Sequence, residues 1–551
     1  MSRFGAPLVR WQQRSGTAVL VGIVVLFVTL AGRLVYIDTT LRPRLTAVAE
    51  RQQDGYTVIP ARRGTIRDAR GRVVATSRQM FDVFVDPVQV EDPQALAKEL
   101  AARIDVPTDE IVKAIRDRPQ SRFVVVANRV DEVTAEAVQD LGHRAVGLRD
   151  RPVRSYPLGS SMAHVLGVVG RDNCGLEGLE LAYDKHLAGV DGRRATIRDA
   201  RRRALWRAGD LSTPPIEGGH IVLTIDAEIQ RIAEEALQAT VAEFKAQSGV
   251  TILMSPGDGR ILAMACVPTF DPNDFAASPP DVRRNRAVTD PVEPGSTFKP
   301  FIACGALEGG FIDRTEQIDC CMGSHLFGRR LVTDSSPHGL LDLKGVVAKS
   351  SNIGMAFIGQ RMGNAQLHQT IRRFGFGSIT GVRFPGEDSG VVRPLDDWDD
   401  YSTVSVTFGY EILVTPLQLI TAFAALANDG ILLKPRLVDR LLSPSGELLE
   451  SFSGPEIVER ATSAEAARYM AEDVLRSVVE SGSARVAKVA GYTVFGKTGT
   501  AKLLSANVGR YEPGSYLSAF LGAAPASDPQ IAVLVMVRRP DPNIGYYGAT
   551  V

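Results

Sequence analysis

The sequence predicts a mixed α/β protein, in which helices pack on an antiparallel sheet, preceded by an elongated α+β region and one membrane-spanning helix. Three observations support this fold class. A long apolar run stands near the N-terminus, apolar strand pairs stand at 250–267 and near the C-terminal end, and mainly helical patterns fill the interval between the pairs. The 551 residues are too many for one core, so about two to four domains are expected.

The composition excludes several classes of protein. Lys and Arg number 63 and Asp and Glu also number 63, and this zero net charge argues against a nucleic-acid-binding protein, which usually carries a basic excess. The five cysteines form no CxxC pair, which disfavours a disulfide framework or a zinc site. The seven histidines show neither HxxxH nor HExxH spacing, so a metal enzyme is also disfavoured.

The apolar run at 17–32 predicts a membrane anchor. The run "TAVLVGIVVLFVTLAG" is uncharged, and "LVYI" resumes after one arginine, so the segment 17–37 has the length of roughly one bilayer crossing. A cleaved signal peptide is the alternative, but no small-x-small cleavage site follows. The residues before the run include arginines and no acid, which favours a cytoplasmic tail at 1–16. The arginines of that tail are Arg3, Arg10 and Arg14.

The region from 55 to 240 is expected to form an α+β domain. The stretch 62–77 predicts two short strands around an Asp-Ala-Arg-Gly turn. Helical periodicity dominates 92–145, as in "DPQALAKELAARI" and "DEVTAEAVQDLG". At 221–237, "IVLTIDAEIQRIAEEAL" predicts a strand and then an amphipathic helix capped by Asp226. Few candidate catalytic groups occur in this region, so its expected role is spacing and docking.

The region from 241 to 551 is expected to hold the chemistry. At 250–267 two apolar runs flank a Pro-Gly-Asp-Gly turn, which is a strong hairpin signal. "YLSAFLGAAP" and "QIAVLVMVRRP" predict a second strand pair near the end of the chain. Because helical patterns fill the sequence between these pairs, we expect one antiparallel sheet covered by helices.

The stretch "PVEPGSTFKPF" places Ser296 and Lys299 three residues apart. Residues i and i+3 share a helix face, so the hydroxyl and the amine could meet. A serine becomes a nucleophile when a base takes its proton, and a lysine is such a base only when burial or a nearby cation lowers its pKa. Pro300 is tolerated only in a first helical turn, which sets the helix start near Ser296. By itself Ser-x-x-Lys is a weak signal, and two solvated side chains remain the alternative.

Two further clusters strengthen the catalytic interpretation. "KSSNIG" offers Ser350 and Asn352, a hydroxyl and an amide that could face one cleft from a turn. "GKTGTA" follows the β-prone "YTVF", so it should line a strand. Lys497 of this strand supplies a positive charge, and Gly499 lets a substrate backbone approach closely. The hydroxyls of the strand belong to Thr498 and Thr500.

The stretch 491–498 also fits the phosphate-loop pattern G-x-x-x-x-G-K-T. A phosphate loop needs turn residues in its middle and a helix after it. Here the middle is Tyr-Thr-Val-Phe, which favours a strand, and no amphipathic helix follows. The pattern therefore does not predict a nucleotide site.

Ser-x-x-Lys, Ser-x-Asn and Lys-Thr-Gly in this order resemble the active site of penicillin-binding proteins and serine β-lactamases. "RNRAVTDPVEPGSTFKP", "FGYEILVTPLQL" and "KTGTAK" look like the transpeptidase domain of class B penicillin-binding proteins, and "RRGTIRDARGRVVATS", "RSYPLG" and "GLEGLELAYD" resemble their pedestal. The best resemblance is to the division-specific (FtsI-type) peptidoglycan D,D-transpeptidase. It implies the penicillin-binding transpeptidase fold over 241–551, with a five-stranded antiparallel sheet packed by helices, and an elongated α+β pedestal of the dimerisation type over 55–240.

The resemblance implies a serine acyl-enzyme mechanism that cross-links peptidoglycan stem peptides. Ser296 would attack the carbonyl between two terminal D-alanines, Lys299 would take its proton, and Ser350 would relay a proton to the leaving amine. The backbone N–H groups of Ser296 and Thr500 would form the oxyanion hole. β-Lactam antibiotics would acylate Ser296 as substrate mimics. The resemblance implies no metal or organic cofactor.

It also implies substrate contacts and partners. Asn352 would hydrogen-bond the substrate backbone, and the lysine-threonine strand would hold the substrate carboxylate. The residues of that strand are Lys497, Thr498, Gly499 and Thr500. Expected partners are a polytopic membrane glycosyltransferase of the SEDS family (FtsW type) and other division proteins. The catalytic domain would lie outside the cytoplasm, anchored by the single helix in the inner cell membrane.

Two features depart from that family's pattern. The chain stops at "IGYYGATV", where the family usually continues into a C-terminal helix, so we expect a transpeptidase domain that is short at this end. Glu411 stands where small residues are commoner, and we expect a solvated side chain there. Two alternative functions remain open at this point: a D,D-carboxypeptidase or β-lactamase-type hydrolase, and a division scaffold with a vestigial transpeptidase domain.

Overall fold

The computed structural model describes residues 6–41, 54–198, 204–207, 212–504 and 510–551. The chain divides into two compact units. The first unit comprises Met1–Ala61 and Val190–Ile216, and the second comprises Arg62–Gly189 and Glu217–Val551. Each unit is described separately below.

The helices and strands are numbered in chain order. The α-helices are α1 (Ala6–Tyr36), α2 (Pro93–Ala101), α3 (Thr108–Asp117), α4 (Glu132–Gln139), α5 (Ala163–Leu166), α6 (Gly178–Ala182), α7 (Asp184–Leu187), α8 (Ala227–Glu243), α9 (Pro280–Arg283), α10 (Arg286–Thr289), α11 (Lys299–Glu308), α12 (Leu343–Ala348), α13 (Asn352–Arg373), α14 (Ser402–Ser405), α15 (Pro416–Leu426), α16 (Ala464–Arg468) and α17 (Arg476–Glu480). The strands are β1 (Asp54–Ile59), β2 (Ile66–Arg67), β3 (Val73–Arg78), β4 (Phe81–Val85), β5 (Val124–Val130), β6 (Val146–Asp150), β7 (Val153–Ser155), β8 (Gly192–Arg198), β9 (Ala204–Arg207), β10 (His220–Leu223), β11 (Ser248–Met254), β12 (Ile261–Val267), β13 (Ile318–Asp319), β14 (Ser324–Phe327), β15 (Arg330–Thr333), β16 (Leu340–Leu341), β17 (Ile431–Leu433), β18 (Val438–Leu442), β19 (Leu448–Ser451), β20 (Ile457–Arg460), β21 (Phe495–Leu504), β22 (Tyr511–Ala524) and β23 (Ile531–Arg538).

The first unit contains helix α1 and a small antiparallel sheet. Gly16–Thr40 is long and apolar enough to cross a membrane, which agrees with the anchor predicted over 17–37. In the sheet, β8 lies between β1 and β9, with Asp54 opposite Ile197. Residues 1–5 of the predicted cytoplasmic tail lie outside the described residues. Pairing of β8 with β1 brings a late segment of the chain back to an early one.

The strands in the N-terminal part of the second unit belong to two sheets, one of which also includes β18 and β19 from later in the chain. One has the order β19-β18-β10-β2-β3-β7, with β10 and β2 parallel and the other pairs antiparallel. The two short strands predicted within 62–77 are confirmed as β2 and β3, joined by a turn in which the Asp68 N–H donates to the Arg72 carbonyl at 2.9 Å. The other sheet has the order β5-β4-β6 and packs against α2 and α3.

The helical pattern predicted over 92–145 is confirmed except at one element. Strand β5 interrupts the helices α2, α3 and α4, and it pairs with β4 along the register Val85–Val124. The physical reason is visible in "FVVVAN", where consecutive β-branched valines favour a strand. Pairing with β4 then stabilises this strand, which is hard to recognise in the sequence because helical segments lie on both sides of it.

The C-terminal part of the second unit is built on a five-stranded antiparallel sheet with the order β12-β11-β23-β22-β21. Both predicted strand pairs are confirmed, since β11 pairs with β12 and β22 pairs with β23. Strand β11 then joins the two pairs by lying beside β23, with Ile252 opposite Leu534. Strand β21, which contains Lys497, is the edge strand of this sheet.

Helices pack on the sheet and set the position of the site. Asp226 caps α8 as predicted, accepting a hydrogen bond from the Glu228 N–H at 2.9 Å. Leu237 and Val241 of α8 pack against Ala265 of β12. Every residue of α15 is buried, as expected for a helix that lies inside the core rather than on its surface. Helix α11, which begins at Lys299, is buried over most of its length.

Candidate active site

Ser296 lies on a short 3₁₀ turn, Gly295–Phe298, that leads directly into α11. Pro300 is the second residue of α11, so the helix start predicted from the proline is confirmed. Gly295 has φ +55°, and a Cβ there would lie 3.1 Å from the Cβ of Ala501 on strand β21. Ser296 is half-buried, whereas Lys299 is fully buried. The turn therefore presents the hydroxyl to the surface and the amine to the interior.

Residues 409–414 run behind the turn Gly295–Phe298, named the nucleophile turn after the predicted role of Ser296, and hold it in place. Val292 and Val414 exchange two backbone hydrogen bonds of 2.9 Å, and the Gly295 N–H donates to the Gly409 carbonyl at 3.1 Å. Gly409 has φ +81°, and a Cβ there would lie 2.2 Å from the Gly295 carbonyl oxygen. Only glycine fits this position, because both its backbone conformation and the close approach exclude a side chain.

The Lys299 ammonium contacts the Ser-x-Asn segment. Its Nζ donates to the Ser350 carbonyl at 2.6 Å, to Asn352 Oδ1 at 2.8 Å and to Ser350 Oγ at 3.2 Å. Lys497 Nζ donates to the same Ser350 Oγ at 3.0 Å and to the Thr498 carbonyl at 2.9 Å. The Ser350 hydroxyl thus lies between two amines, and the structure brings together the three motifs that are far apart in the sequence.

Burial lowers the pKa of both lysines. The pKa of Lys299 lies well below its ordinary value because the side chain is desolvated, and the charge of Lys497 lowers it further. Burial alone lowers the pKa of Lys497 to about 7. Two ammonium groups on either side of one hydroxyl repel each other, so the pair favours a state in which Lys299 is neutral. A neutral amine has a free electron pair and can act as a base.

Ser350 adopts an uncommon backbone conformation with φ +59°. The following residue, Ser351, caps α13 by accepting a hydrogen bond from the Gly354 N–H at 3.0 Å. Asn352 is therefore the first residue of α13, and its side chain also donates to the Thr333 carbonyl at 2.9 Å. Strain of this kind is common at functional sites, where the surrounding structure holds the residue in place.

Asp334 supports this segment, and sequence reasoning missed it. Its carboxylate accepts hydrogen bonds from Ser351 Oγ and from the Asn352 N–H, each at 2.5 Å, and from the Ile353 N–H at 3.1 Å. A carboxylate at a helix N-terminus satisfies N–H groups that lack an intrahelical partner. The sequence carries no signal of this role, because Asp334 follows a separate hairpin and belongs to none of the motifs.

Strand β21 lines the site with alternating faces. Lys497 is fully buried and points toward Ser350, whereas the Thr498 hydroxyl contacts the Ser483 hydroxyl at 3.1 Å. The Thr500 hydroxyl accepts a hydrogen bond from the Gly548 N–H at 3.0 Å. Ser483 is a second residue that sequence reasoning missed, because its contact with Thr498 is made only in the folded chain.

Gly499 allows the edge strand to lie directly on the nucleophile turn. A Cβ at this position would lie 2.7 Å from the Thr297 methyl carbon and 3.4 Å from the Pro294 carbonyl oxygen. The sequence suggested that Gly499 makes room for a substrate backbone. In the structure, the atoms that need the space belong to the turn that carries Ser296.

Glu411 is not a simple solvated side chain, so that expectation is wrong. Its carboxylate lies 2.5 Å from Arg393 Nη2 and 3.5 Å from Arg330 Nη1, and it accepts a hydrogen bond from Ser402 Oγ at 3.0 Å. The Glu411 N–H donates to Glu293 Oε1 at 3.0 Å. Glu411 therefore joins the segment behind the nucleophile turn to the β14–β15 hairpin, and neither contact is visible in the local sequence.

The phosphate-loop pattern at 491–498 does not form a phosphate loop. Residues Phe495–Leu504 form the continuous strand β21, and the segment after the lysine is strand rather than helix. A phosphate loop needs a helix N-terminus directly after it to bind the anion. The rejection of this pattern is confirmed.

Comparisons with known proteins agree with this geometry. Residues 249–551 match the penicillin binding protein transpeptidase domain, and residues 58–223 match the penicillin-binding protein dimerisation domain. The chain is 32% identical over 540 residues to the probable peptidoglycan D,D-transpeptidase PenA of Neisseria meningitidis, which covers 97% of this chain and 89% of the relative. It is 31% identical over 543 residues to the peptidoglycan D,D-transpeptidase FtsI of Escherichia coli K12, with coverage of 97% and 89%.

Solved structures show the same fold. The crystal structure of penicillin binding protein 3 of Mycobacterium tuberculosis in complex with aztreonam superposes with a TM-score of 0.68 and 28% identity, over 88% of this chain and 91% of that chain. A peptidoglycan synthetase from Bifidobacterium adolescentis gives a TM-score of 0.72 and 25% identity, over 90% and 95%.

Fold, motifs and comparisons together define a penicillin-binding transpeptidase with a serine nucleophile. The class can be narrowed, because both domains match and because the relatives are similar over nearly the full length of the chain. The chain belongs to the class B penicillin-binding proteins, as the sequence resemblance predicted.

Proposed function

We propose that this protein is a peptidoglycan D,D-transpeptidase that cross-links stem peptides through a serine acyl-enzyme during septal cell-wall synthesis. The observation that carries the proposal is the Ser350 hydroxyl, which lies 3.2 Å from Lys299 Nζ and 3.0 Å from Lys497 Nζ beside the turn that carries Ser296. This arrangement provides a nucleophile, a base and a proton relay in one place. The family and its named D,D-transpeptidases support the same reaction.

Acylation begins when neutral Lys299 takes the proton of Ser296. The Ser296 oxygen then attacks the carbonyl carbon between the two terminal D-alanines, and the backbone N–H groups of Ser296 and Thr500 stabilise the oxyanion. Strand β21 is the edge of its sheet, so N–H groups on its outer side have no strand to pair with among the residues that the structure describes. This free edge is what makes Thr500 suitable for the oxyanion hole.

Collapse of the tetrahedral intermediate needs a proton on the leaving amine. Protonated Lys299 supplies that proton through the Ser350 hydroxyl, which lies within hydrogen-bond distance of it. The C–N bond breaks, free D-alanine leaves, and Lys299 is neutral again. The amine of a second stem peptide then attacks the acyl-enzyme carbonyl, and the same groups run in reverse to release Ser296 and form the cross-link.

The edge strand β21 and Asn352 bind the substrate. Asn352 hydrogen-bonds the substrate backbone, while Lys497 and the hydroxyls of Thr498 and Thr500 hold the terminal carboxylate. Since the Thr500 hydroxyl accepts a bond from the Gly548 N–H, it can still donate its own hydrogen to a carboxylate oxygen. β-Lactams enter by the same route and acylate Ser296.

The cellular arrangement follows from the anchor. We place residues 1–16 in the cytoplasm, 17–37 across the inner membrane, and the pedestal (55–240) and transpeptidase domain (241–551) outside it. A polytopic glycosyltransferase of the SEDS family (FtsW type) and further division proteins are the proposed partners. A pull-down that recovers equal amounts of this glycosyltransferase with and without residues 55–240 would argue against a pedestal contact.

Labelling with a fluorescent penicillin tests the chemistry. We expect a covalent band on a denaturing gel that is stable for many minutes in the wild type and absent in Ser296→Ala, because the label is an ester of Ser296. A band that persists in the variant refutes the nucleophile assignment. Rapid loss of label from the wild type indicates a β-lactamase-type hydrolase, and a folded wild type without label indicates a vestigial domain in a division scaffold.

A further inference from the structure

One cavity lies in the second unit, outside the residues described for the site around Ser296. Its volume is about 350 Å³, which is within the range of small-molecule sites. It is bounded by Tyr183 at the end of α6, by residues 381–383, by residues 434–438 and by residues 451–456. None of these residues takes part in the proposed reaction.

The charged residues of this cavity are mainly basic. Arg383, Lys434 and Arg436 line it, and Glu456 is the only acidic residue among its lining residues. Glu456 pairs with Lys434 at 3.0 Å and is largely exposed. Within the described part of the chain, Arg383 has no carboxylate within 4.0 Å. The cavity therefore has more positive charge than its own acid neutralises.

Arg436 is the most buried of these cations, since its side chain is only 10% exposed. Its closest carboxylates, Asp439 and Asp258, lie 3.8 and 4.0 Å away, and each lies closer to another arginine. The Nε atom of Arg436 is buried without a hydrogen-bond partner among the described residues. Nη1 of Arg436 donates to the Phe452 carbonyl, so part of the guanidinium is satisfied within the fold. Both carboxylates lie at the limit of ion-pair distance and Nε has no partner among the described residues, so a bound anion would supply a closer counter-ion for this buried cation.

Aromatic rings and strained backbone shape the same cavity. The Arg383 guanidinium carbon lies 5.3 Å from the centre of the Phe452 ring, which is a cation–π contact. Arg383 also interacts with the Tyr183 hydroxyl. Its backbone has φ +57°, a conformation that is uncommon for a residue other than glycine. Gly381, with φ +80°, leaves room for the Lys434 side chain, whose Cε would lie 3.0 Å from a Cβ.

We propose that this cavity binds an anionic sugar, with its carboxylate or phosphate between Arg383, Lys434 and Arg436 and its ring against Phe452. Guanidinium groups suit both anions because they donate parallel hydrogen bonds to two oxygens. An inorganic anion alone would leave the aromatic wall and most of the cavity volume unused. The two possible anions share this chemistry, and separate probes distinguish them.

Calorimetric titration of the full-length protein tests this site. Ser296 is first acylated with penicillin, so that the site around Ser296 is occupied and the extent of labelling shows that the fold is intact. The probes are N-acetylmuramic acid, N-acetylglucosamine 1-phosphate, neutral N-acetylglucosamine and inorganic phosphate. We expect saturable binding of at least one anionic sugar, which identifies the anion, and binding at least tenfold weaker for the neutral sugar and for phosphate.

Three variants locate the binding. We expect Arg383→Gln and Lys434→Met each to weaken binding of the anionic sugar at least tenfold. Both variants should keep penicillin labelling. The control is Arg476→Gln, because Arg476 is an exposed arginine that pairs with Glu480 and does not line the cavity; we expect no change. The proposal is overturned if neither anionic sugar binds, if the neutral sugar or phosphate binds equally well, or if the two cavity variants bind as the wild type does.

Discussion

Ser350 is the residue on which the arrangement of the site depends. Its backbone carbonyl and its hydroxyl both accept hydrogen bonds from Lys299, and its hydroxyl also accepts one from Lys497. An ammonium has three N–H bonds, and Lys299 uses all three on Ser350 and Asn352. Loss of one proton removes one of these bonds and frees the electron pair that a base requires. The surroundings therefore hold the amine in position in either protonation state.

This coupling predicts a change in pH dependence when Lys497 is replaced by methionine. Acylation requires neutral Lys299, so its rate falls as pH drops through the pKa of Lys299. The positive charge of Lys497 contributes to lowering that pKa. Without this charge the pKa of Lys299 rises, and we expect the acidic limb of the acylation rate to move to higher pH. Stopped-flow acylation with penicillin over a pH series measures the shift.

Lys488→Met is the matched control for this experiment, because Lys488 is exposed and lies outside the site. Its pH profile should equal that of the wild type. An acidic limb that stays in place in Lys497→Met, or moves to lower pH, would show that the charge of Lys497 does not act on the base.

At this scale the sequence predicted the motif residues and missed their supports. Ser296 and Lys299 were found because a spacing of three and the constraint of Pro300 are local properties. Two supporting residues come from distant segments. Asp334 accepts a hydrogen bond from the Asn352 N–H at 2.5 Å, and the Ser483 hydroxyl contacts the Thr498 hydroxyl at 3.1 Å. No local pattern encodes such contacts, since they arise only when separate elements pack together.

At the scale of elements, the site is an interface between one strand and one turn. Gly499 of β21 lies against Thr297 and Pro294 without room for a methyl group. Gly295 and Ala501 form a second close contact along the same line. The distance between nucleophile and edge strand is thus fixed by small residues on both sides.

Replacing Gly499 with alanine should therefore separate the strand from the turn. A Cβ would lie 2.7 Å from Thr297, which forces a displacement of several tenths of an ångström. Because misplacement of reacting groups by about 1 Å can cost about a hundredfold in rate, we expect penicillin acylation to slow by roughly tenfold to a hundredfold. Gly257→Ala is the control, since a Cβ there meets nothing within 4 Å. Equal acylation rates in both variants would contradict the role of this contact.

The sequence predicted most elements that bear the site, and the reason is periodicity. In the hairpin β11–β12 and the pair β22–β23, apolar residues alternate with polar ones or form continuous runs, and clear turn residues bound each run. Strand β5 was missed because helical segments flank it closely. The joining of the two strand pairs through β11 and β23 could not be predicted, because it links residues about 280 positions apart.

At the scale of the whole molecule, neither of the two units is one continuous segment of the chain. Val190–Ile216 belongs to the same unit as the anchor segment, because β8 pairs with β1. This return could not be predicted from the sequence, since pairing between distant strands leaves no local pattern. All motif residues of the catalytic site lie in the second unit.

Removal of residues 1–53 should release the protein from the membrane without loss of penicillin labelling. The anchor helix supplies membrane attachment, and the labelled serine belongs to the other unit. We expect full-length protein in the pellet after a carbonate wash, and the shortened protein in the supernatant with unchanged label per mole. Full-length protein in the supernatant, or a shortened protein that stays in the pellet, would contradict a single spanning anchor.

The contact between Gly409 and Gly295 limits how the enzyme could become resistant to antibiotics. Any side chain at 409 would collide with the Gly295 carbonyl and push the nucleophile out of line for drug and natural substrate alike. We therefore expect mutations at 409 to slow the reaction with substrate and the reaction with the drug together. Strains selected under a β-lactam should accumulate their changes on the open rim of the groove, where the two ligands differ in shape.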